Sequence, residues 1–300
     1  MMGICPNCGS WVDDGDICMN CGGSGSYGYE DDDEDDDSDT IIDTRYIKRD
    51  EYSKRAWDYY MDFKEADALY YIDLALDLDG RHANNWNKKA IILEAMKRYG
   101  ESEECYNKSL ELSKQPLVCD NKARMLRVWA RQLLEESKEL PNGLAKLKEA
   151  LEINRRAIDA LPQSNSEEKL DDYLRQKDSI EFYIDYERKY QRNIETLKRY
   201  SRDELFTIAG GEFYKYITFG TPLKLVKEPD NEFDSDAIAV YAEGEKVGYV
   251  ANSAYTKSEL TSSASQLQDK IPDTADGFYL LYLDRYAEVQ FRIGRLIKNK

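Results

Sequence analysis

The chain contains a single histidine, His82, among its 300 residues. One histidine is too few for the two-histidine helical motif of zinc proteases, and it argues against histidine-dependent catalytic triads. The sequence also lacks the G-x4-G-K-[ST] loop that cradles nucleotide phosphates, so we expect no nucleotide cofactor. These absences together predict a protein that is not an enzyme.

Long apolar runs are missing as well. No stretch approaches the ~20 apolar residues that a membrane-spanning helix requires, and the N-terminus lacks the basic and apolar regions of a signal peptide. We therefore expect a cytoplasmic protein that makes no membrane contact. Apolar residues still make up 41% of the chain, which is enough for globular packing, and the length suits two or three domains.

Basic residues are absent from the first 44 positions, whereas 13 of the 59 acidic residues lie there. The rest of the chain carries 46 acidic against 42 basic residues, so its net charge is -4 of the total of -17. This distribution describes an acidic arm attached to a nearly neutral body. It argues against non-specific coating of long DNA, which needs a basic face, but it leaves room for a small local site.

Four of the six cysteines form two C-x2-C pairs at the N-terminus. A glycine follows each pair and permits the left-handed turn that directs backbone amides at sulfur. Four thiolates make the closed tetrahedral shell of a structural Zn²⁺ site, with iron or two disulfides as the alternatives. The segment resembles the zinc ribbons at the termini of many prokaryotic proteins. We therefore assign residues 1–23 to a zinc ribbon whose ligands are Cys5, Cys8, Cys18 and Cys21.

Residues 24–43 are rich in Gly and Ser and then almost entirely acidic, a composition that predicts a disordered linker. Residues 44–162 show a helical pattern in which large residues alternate with small ones, clearest from Trp86 to Leu112. This alternation resembles tetratricopeptide repeats, which implies stacked helical hairpins of about 34 residues that bind a protein partner. Cys105 and Cys119 fall within this region, and we expect them to be buried packing residues.

A single long helix is predicted within residues 163–202. Tyr183, Tyr186, Tyr190, Ile194 and Leu197 form an apolar stripe with helical spacing along it. The stripe favours a helix that caps the repeats, and self-association through the stripe is the alternative.

Short strand-like runs separated by Gly, Pro, Asn and Asp fill residues 203–300, and residues 253–268 have a helical pattern. Within this region, the run from Lys227 to Tyr241 reads KEPDNEFDSDAIAVY, and the turn at Gly244 leads into the strand VGYV. These two segments resemble the HIRAN domain family. The complete fold class is thus multi-domain α+β: a zinc ribbon, all-α helical-hairpin repeats, and a small barrel-like HIRAN domain at the C-terminus.

The resemblance implies a domain that holds the free 3′ end of single-stranded DNA, and a place in DNA repair. In such a pocket an aromatic ring stacks on the terminal base, and a carboxylate accepts a hydrogen bond from the 3′-hydroxyl and repels a 3′-phosphate. Residues 203–300 nevertheless hold 16 acidic against 11 basic residues, so we expect weak, salt-sensitive binding. The residues that match the family's site are Phe213, Tyr214, Lys227, Asn231, Phe233, Asp234 and Tyr249.

Two functions follow from these features. The first is a nucleic-acid-associated adaptor, whose C-terminal domain binds a DNA end while the repeats bind another protein. The second is a protein-interaction scaffold without nucleic acid, in which the Asp-rich loop only connects two strands, since Asn and Asp hydrogen-bond their own backbone in turns.

Overall fold

The computed structural model describes residues 2–4, 11–13, 44–161, 167–210, 216–286 and 289–297. The chain forms two compact units. The first comprises Met1–Leu140 and Ala145–Glu181, and the second comprises Pro141–Leu144 and Phe182–Lys300. None of the described helices has a stretch that is long and apolar enough to cross a membrane.

Two short strands are described near the N-terminus. Strand β1 (Met2–Ile4) pairs antiparallel with β2 (Trp11–Asp13), and the register places Ile4 opposite Trp11. The stretch that joins the paired strands therefore carries the first C-x2-C pair. The four cysteines proposed as metal ligands, Cys5, Cys8, Cys18 and Cys21, lie outside the described residues, as do residues 24–43 of the acidic linker.

Six helices follow before residue 160, joined by short connections, so the expectation of an all-helical region is confirmed. Packing joins α1 to α2, α2 to α3, α3 to α4 and α4 to α5. Short connections between packed helices are typical of helical hairpins. The helices are α1 (Thr44–Met61), α2 (Glu65–Leu78), α3 (Ala83–Ala95), α4 (Tyr99–Leu112), α5 (Pro116–Lys138) and α6 (Leu144–Asp159).

The first two hairpins repeat the same local geometry at an interval of 34 residues. Phe63 and Lys97 end the first helix of each hairpin with a positive φ, of 58° and 59°. The residue after each, Lys64 or Arg98, precedes the second helix with a similar backbone conformation. A non-glycine residue rarely adopts positive φ, so its recurrence at equivalent positions indicates one structural unit used twice.

Small buried residues allow close approach of α3 and α4. The Ser102 hydroxyl donates a 2.8 Å hydrogen bond to the Ala90 carbonyl, and the Ser109 hydroxyl donates to the Ala83 carbonyl at 2.9 Å. Cys105, on the same helix, is buried, as expected from the sequence, and burial raises the pKa of its thiol to about 11. Cys119 is only partly buried.

Helix α7 (Glu167–Leu197) contributes to both units. In the first unit, Tyr173 and Ile180 are buried, and the Arg127 guanidinium of α5 lies over the Tyr173 ring. Gln176 also donates a hydrogen bond to the Arg127 carbonyl at 3.0 Å. This half of the helix therefore covers α5.

In the second unit, α7 packs on the barrel. Ile194 and Leu197 join an apolar cluster with Leu280, Leu283 and Ile293. The stripe predicted from the sequence is thus present, but it packs on the barrel along its whole length, with Tyr183 and Tyr186 against Tyr286. The expectation that it caps the repeats is wrong. The stripe specified an apolar face without specifying its partner.

Six antiparallel strands close into a barrel in the order β3-β6-β5-β4-β7-β8, with β8 paired to β3. The expectation of a small C-terminal barrel is confirmed. The strands are β3 (Leu205–Ala209), β4 (Pro222–Lys227), β5 (Ile238–Ala242), β6 (Glu245–Val250), β7 (Thr274–Arg285) and β8 (Val289–Leu296).

Two glycines in the barrel strands leave room for a neighbouring group, a side chain in one case and a backbone carbonyl in the other. A Cβ on Gly294 would lie 2.3 Å from the Phe206 ring, which fills the barrel interior opposite it. Gly248, with φ of 146°, would place a Cβ 2.2 Å from the Ala209 carbonyl. The glycine of the VGYV segment is therefore required by strand packing, independently of any ligand.

The helix predicted over residues 253–268 is wrong for most of its length, because only α8 (Ala264–Leu267) is helical. Hydroxyl groups in the preceding segment bond to local backbone and stabilise turns instead. Thr256 donates to the Ser253 carbonyl, and Thr261 donates to the Ser258 carbonyl. Ser263 then caps α8 through a reciprocal hydrogen-bond pair with Gln266.

Candidate nucleic-acid interface

The loop between β4 and β5, residues 228–237, has a backbone fixed by its own side chains. The Asn231 Oδ1 atom accepts hydrogen bonds from the backbone N–H groups of Phe233 and Asp234, at 3.0 and 3.2 Å. The Glu228 N–H donates to the Ala237 carbonyl at 2.9 Å and closes the loop at its base. Asn231 therefore serves as the turn-forming residue that the DNEFD sequence suggests.

Phe233 projects from this ordered loop with 95% of its surface exposed. An apolar ring gains nothing by facing water, and no aromatic ring is stacked on Phe233 within the described parts of the chain. Because Asn231 holds the backbone N–H groups of Phe233 and Asp234, the ring is presented on an ordered backbone, which lowers the entropic cost of binding. This arrangement suits stacking against a planar ligand.

The Asp234 carboxylate is oriented from two sides. Its Oδ1 atom accepts the Asp236 N–H at 2.9 Å, and its Oδ2 atom accepts the Asn252 side-chain amide at 2.9 Å. Asn252 is held in turn, because its Oδ1 atom accepts the Ser265 N–H at 3.0 Å. A carboxylate offers about four lone-pair positions, so Asp234 keeps capacity to accept a further hydrogen bond from a ligand.

Tyr249 is tied into a charged cluster at the base of the loop. Its hydroxyl lies 3.1 Å from Glu228 Oε2 and 2.9 Å from the Lys246 ammonium, which in turn bonds Glu228 Oε1 at 2.8 Å. The hydrogen bond from Lys246 lowers the pKa of Glu228. Burial opposes the charge on Lys246, but the bonds to Glu228 and Tyr249 outweigh it and raise the pKa of Lys246.

The structure thus groups most of the site residues proposed from the sequence. Asn231, Phe233 and Asp234 share one loop, Tyr249 supports its base through Glu228, and Lys227 is the strand residue that enters it. Within the described part of the chain, Lys227 forms no ion pair. The remaining two proposed residues, Phe213 and Tyr214, lie outside the described residues.

Sequence reasoning missed the supporting residues of this loop. Asn252 positions the Asp234 carboxylate. Glu228 and Lys246 form the ion pair at the loop base. A spacing of 18 residues separates the partners in both pairs, and only the pairing of β5 with β6 brings them together.

Among the described residues, no group of three or more His, Cys, Asp or Glu side chains could hold a metal ion. The metal proposed from the sequence depends on the N-terminal cysteines outside those residues.

Comparison with known proteins finds one family. No curated protein matches the chain. The model of a family described as HIRAN domain matches residues 197–268, which include β3 to β6, the loop of Phe233, and α8. HIRAN domains are generally nucleic-acid-binding domains, and the C-terminal region of this chain is therefore similar to a domain that binds DNA.

Proposed function

We propose that the C-terminal barrel binds a single-stranded nucleic-acid end, and that the chain is a non-enzymatic adaptor. The observation that carries this proposal is the exposed Phe233 ring on a loop whose backbone is fixed by Asn231, inside the segment that matches the HIRAN model. The ring would stack on the terminal base. The Asp234 carboxylate would accept a hydrogen bond from the 3′-hydroxyl.

The charges of the site favour binding of a strand end over binding along a continuous strand. A carboxylate beside a terminal hydroxyl repels a phosphate at the same position, so Asp234 would select 3′-hydroxyl ends. Phosphate contacts usually provide most of the affinity for nucleic acid, and residues 203–300 carry more acids than bases. Binding through this loop should therefore be modest and should weaken with salt.

Fluorescence anisotropy of a short labelled strand, added to the full chain at low and moderate salt, tests the proposal. Phe233→Ala should weaken binding about tenfold, because stacking contributes ~1–3 kcal/mol per base. Phe63→Ala is the matched control, since Phe63 is 85% exposed but lies in the helical region. Equal affinities for wild type and Phe233→Ala would overturn the proposal.

The Asp234→Asn substitution tests end selection separately. The wild type should prefer a strand with a 3′-hydroxyl over the same strand with a 3′-phosphate. Asn keeps an oxygen acceptor but removes the charge, so the preference should shrink while the hydroxyl-ended strand still binds. A preference unchanged by Asp234→Asn would show that the carboxylate does not read the end.

We propose further that the helical region binds a protein partner. Position-equivalent residues at 34-residue intervals support this: Ser53, Asn87 and Asn121 in one series, with Lys54, Lys88 and Lys122 adjacent to them. These residues lie on α1, α3 and α5, and the Asn121 amide donates to Asn87 Oδ1 at 3.5 Å. Burial lowers the pKa of both Lys88 and Lys122.

Ser53 and Asn87 are buried, so the groups of this row that reach the surface are the ammonium groups of Lys54, Lys88 and Lys122. Repeated ammonium groups suit the carboxylates of an acidic peptide. Titration of a labelled acidic peptide into the full chain tests this role. Lys122→Met should weaken binding, and Lys148→Met, an exposed change on α6, should not. If both substitutions weaken binding equally, the peptide is held only by general charge attraction. The proposed binding surface would then be wrong.

The N-terminal segment is proposed to hold one structural Zn²⁺ through Cys5, Cys8, Cys18 and Cys21. The donor set fits, because four thiolates complete a tetrahedral zinc shell. Metal analysis of the purified chain should give about one zinc per chain, lost in Cys18→Ser and kept in Cys105→Ser. Bound iron, or metal retained in Cys18→Ser, would contradict this assignment.

A further inference from the structure

A groove of about 1090 Å³ opens on the second unit, and no residue of the Phe233 loop lines it. The end of β3, the middle of β7, the start of β8 and one turn of α7 form its walls. We call it the aromatic groove. The residues of its wall that matter here are Lys189, Tyr216, Phe219, Tyr255, Tyr282 and Arg292.

Exposed rings line the aromatic groove. Tyr216 is 91% exposed, Tyr255 is 96% exposed and Phe219 is 76% exposed. Three large rings on one groove leave apolar surface exposed to water, which is unfavourable. Their number and their exposure match the stacking platforms of proteins that bind single strands without sequence preference.

The charges of the aromatic groove are of one sign. Among the described residues that line it, only Lys189 and Arg292 are charged, and both are cationic. This contrasts with the net charge of -17 for the whole chain. Arg292 is held in place, because its Nη2 atom donates to the Gly210 carbonyl at 3.2 Å. An anionic ligand with planar apolar groups is complementary to these walls.

A short segment of the chain connects the Phe233 loop to the aromatic groove. Asn252 bonds the Asp234 carboxylate, and Tyr255, three residues later, lines the groove. Three residues span at most about 11 Å. Successive phosphates of a strand are spaced by roughly 3.4 Å along a helix axis and farther apart when extended, so a few nucleotides cover this distance.

Much of the wall lies outside the segment that matches the HIRAN model. The match ends at residue 268, whereas Tyr282 and Arg292 belong to the β7–β8 hairpin, and Lys189 precedes the match on α7. The match to residues 197–268 therefore includes the rings of Tyr216, Phe219 and Tyr255 but neither of the two cations.

We propose that the aromatic groove is a second subsite of the same strand. It holds the nucleotides on the 5′ side of the 3′ end that binds at the Phe233 loop. Bases stack on Tyr216, Phe219 and Tyr255, and the phosphates face Lys189 and Arg292. The inference rests on the proposed function, because it extends the same strand from the loop into the groove. It assigns to the chain a footprint of several nucleotides.

Oligothymidylates of two lengths, with about three and about nine nucleotides, test the inference on the full chain at low salt. The longer strand should bind at least tenfold more tightly. Tyr255→Ala should remove most of that gain and leave the short strand unaffected, since stacking platforms contribute about fivefold to a hundredfold per base. Lys189→Gln should reduce the salt dependence of the longer strand by about one phosphate contact. Phe63→Ala is again the control.

The outcomes separate the groove from the loop. Equal affinity for both lengths, with loss in Phe233→Ala, overturns the groove and keeps the proposed function. Binding of the long strand that Tyr255→Ala abolishes and Phe233→Ala leaves intact supports the groove and overturns the loop. If no oligonucleotide binds but an extended acidic peptide does, both are overturned and the groove is a peptide site.

Discussion

The helical region and the barrel differ in how their unusual features are distributed. In the helical region, the positive-φ residues Phe63 and Lys97 recur at a 34-residue interval. In the barrel, the fixed loop of Asn231 and the exposed rings of Phe233 and Tyr255 each occur once. A feature that recurs at equivalent positions is explained by the architecture itself. An exposed ring on a loop whose backbone is fixed by hydrogen bonds is not explained by a repeated architecture and points to a ligand.

The two regions should respond in opposite directions to the same glycine substitution. Gly294→Ala places a methyl group against the Phe206 ring inside the barrel, so we expect a loss of about 2–3 kcal/mol. Gly100→Ala lies in α4, where nothing is within 4 Å of the added Cβ, and should raise stability by about 0.5 kcal/mol. Hydrogen exchange measured on individual peptides reports the stability of the barrel and of the helical region separately.

Tryptophan fluorescence provides the control, because all four tryptophans lie before residue 130 and none lies in the barrel. The fluorescence-detected unfolding transition should therefore move with Gly100→Ala and stay in place with Gly294→Ala. Unchanged hydrogen exchange of the barrel peptides in Gly294→Ala would show that the Phe206 ring repacks freely. The close approach of Gly294 and Phe206 would then not limit the stability of the barrel.

The fold was predictable where sequence periodicity is local. Five of the six barrel strands lie within the short strand-like runs expected from the sequence, because strand pairing follows short apolar segments bounded by turn residues. The sixth, β7, begins three residues before its run, at Thr274. The helix expected over residues 253–268 failed, because Ser and Thr hydroxyls bonded to turn backbone in place of helical pairing. The apolar stripe of α7 likewise defined a face but left its partner open.

The candidate site divides in the same way. Asn231, Phe233 and Asp234 lie within four residues, so one loop was enough to identify them. Asn252 and Lys246 act through contacts with residues 18 positions away, which only the strand pairing reveals. The rings of the aromatic groove come from three separate segments, and closure of the barrel by β7 and β8 brings them onto one surface.

The charged cluster under the Phe233 loop should make barrel stability depend on pH. The pKa of Glu228 is lowered from 4.5, so its stabilisation is present above pH 4.5 and is lost as the pH falls through the lower folded value. The pKa of Lys246 is raised from 10.5, so its stabilisation is present below pH 10.5 and is lost as the pH rises further. Barrel stability should therefore form a plateau between these limits.

Lys246→Met should cost about 1–2 kcal/mol at neutral pH, because it leaves the Glu228 carboxylate without its cation and removes one hydrogen bond from Tyr249. The acid-side slope of barrel stability should also become shallower. Urea midpoints of barrel exchange between about pH 3 and pH 7 measure both effects. Glu101→Gln removes the exposed Arg98–Glu101 ion pair of the helical region and should change the stability of that region little. A loss of stability as large as that of Lys246→Met would show that the two ion pairs do not differ.

The smallest expected effect tests whether the two hairpins are equivalent. Phe63→Gly and Lys97→Gly each relieve a left-handed residue, at a strain of roughly 1–2 kcal/mol, but add unfolded-chain entropy of roughly 0.5–1 kcal/mol. Each should therefore stabilise the helical region by about 0.5 kcal/mol in tryptophan-detected urea unfolding. Two similar gains would support one structural unit used twice. A gain at Lys97 with a loss at Phe63 would mean that the exposed Phe63 ring contributes to packing at its turn, and the 34-residue equivalence would then be limited to the backbone.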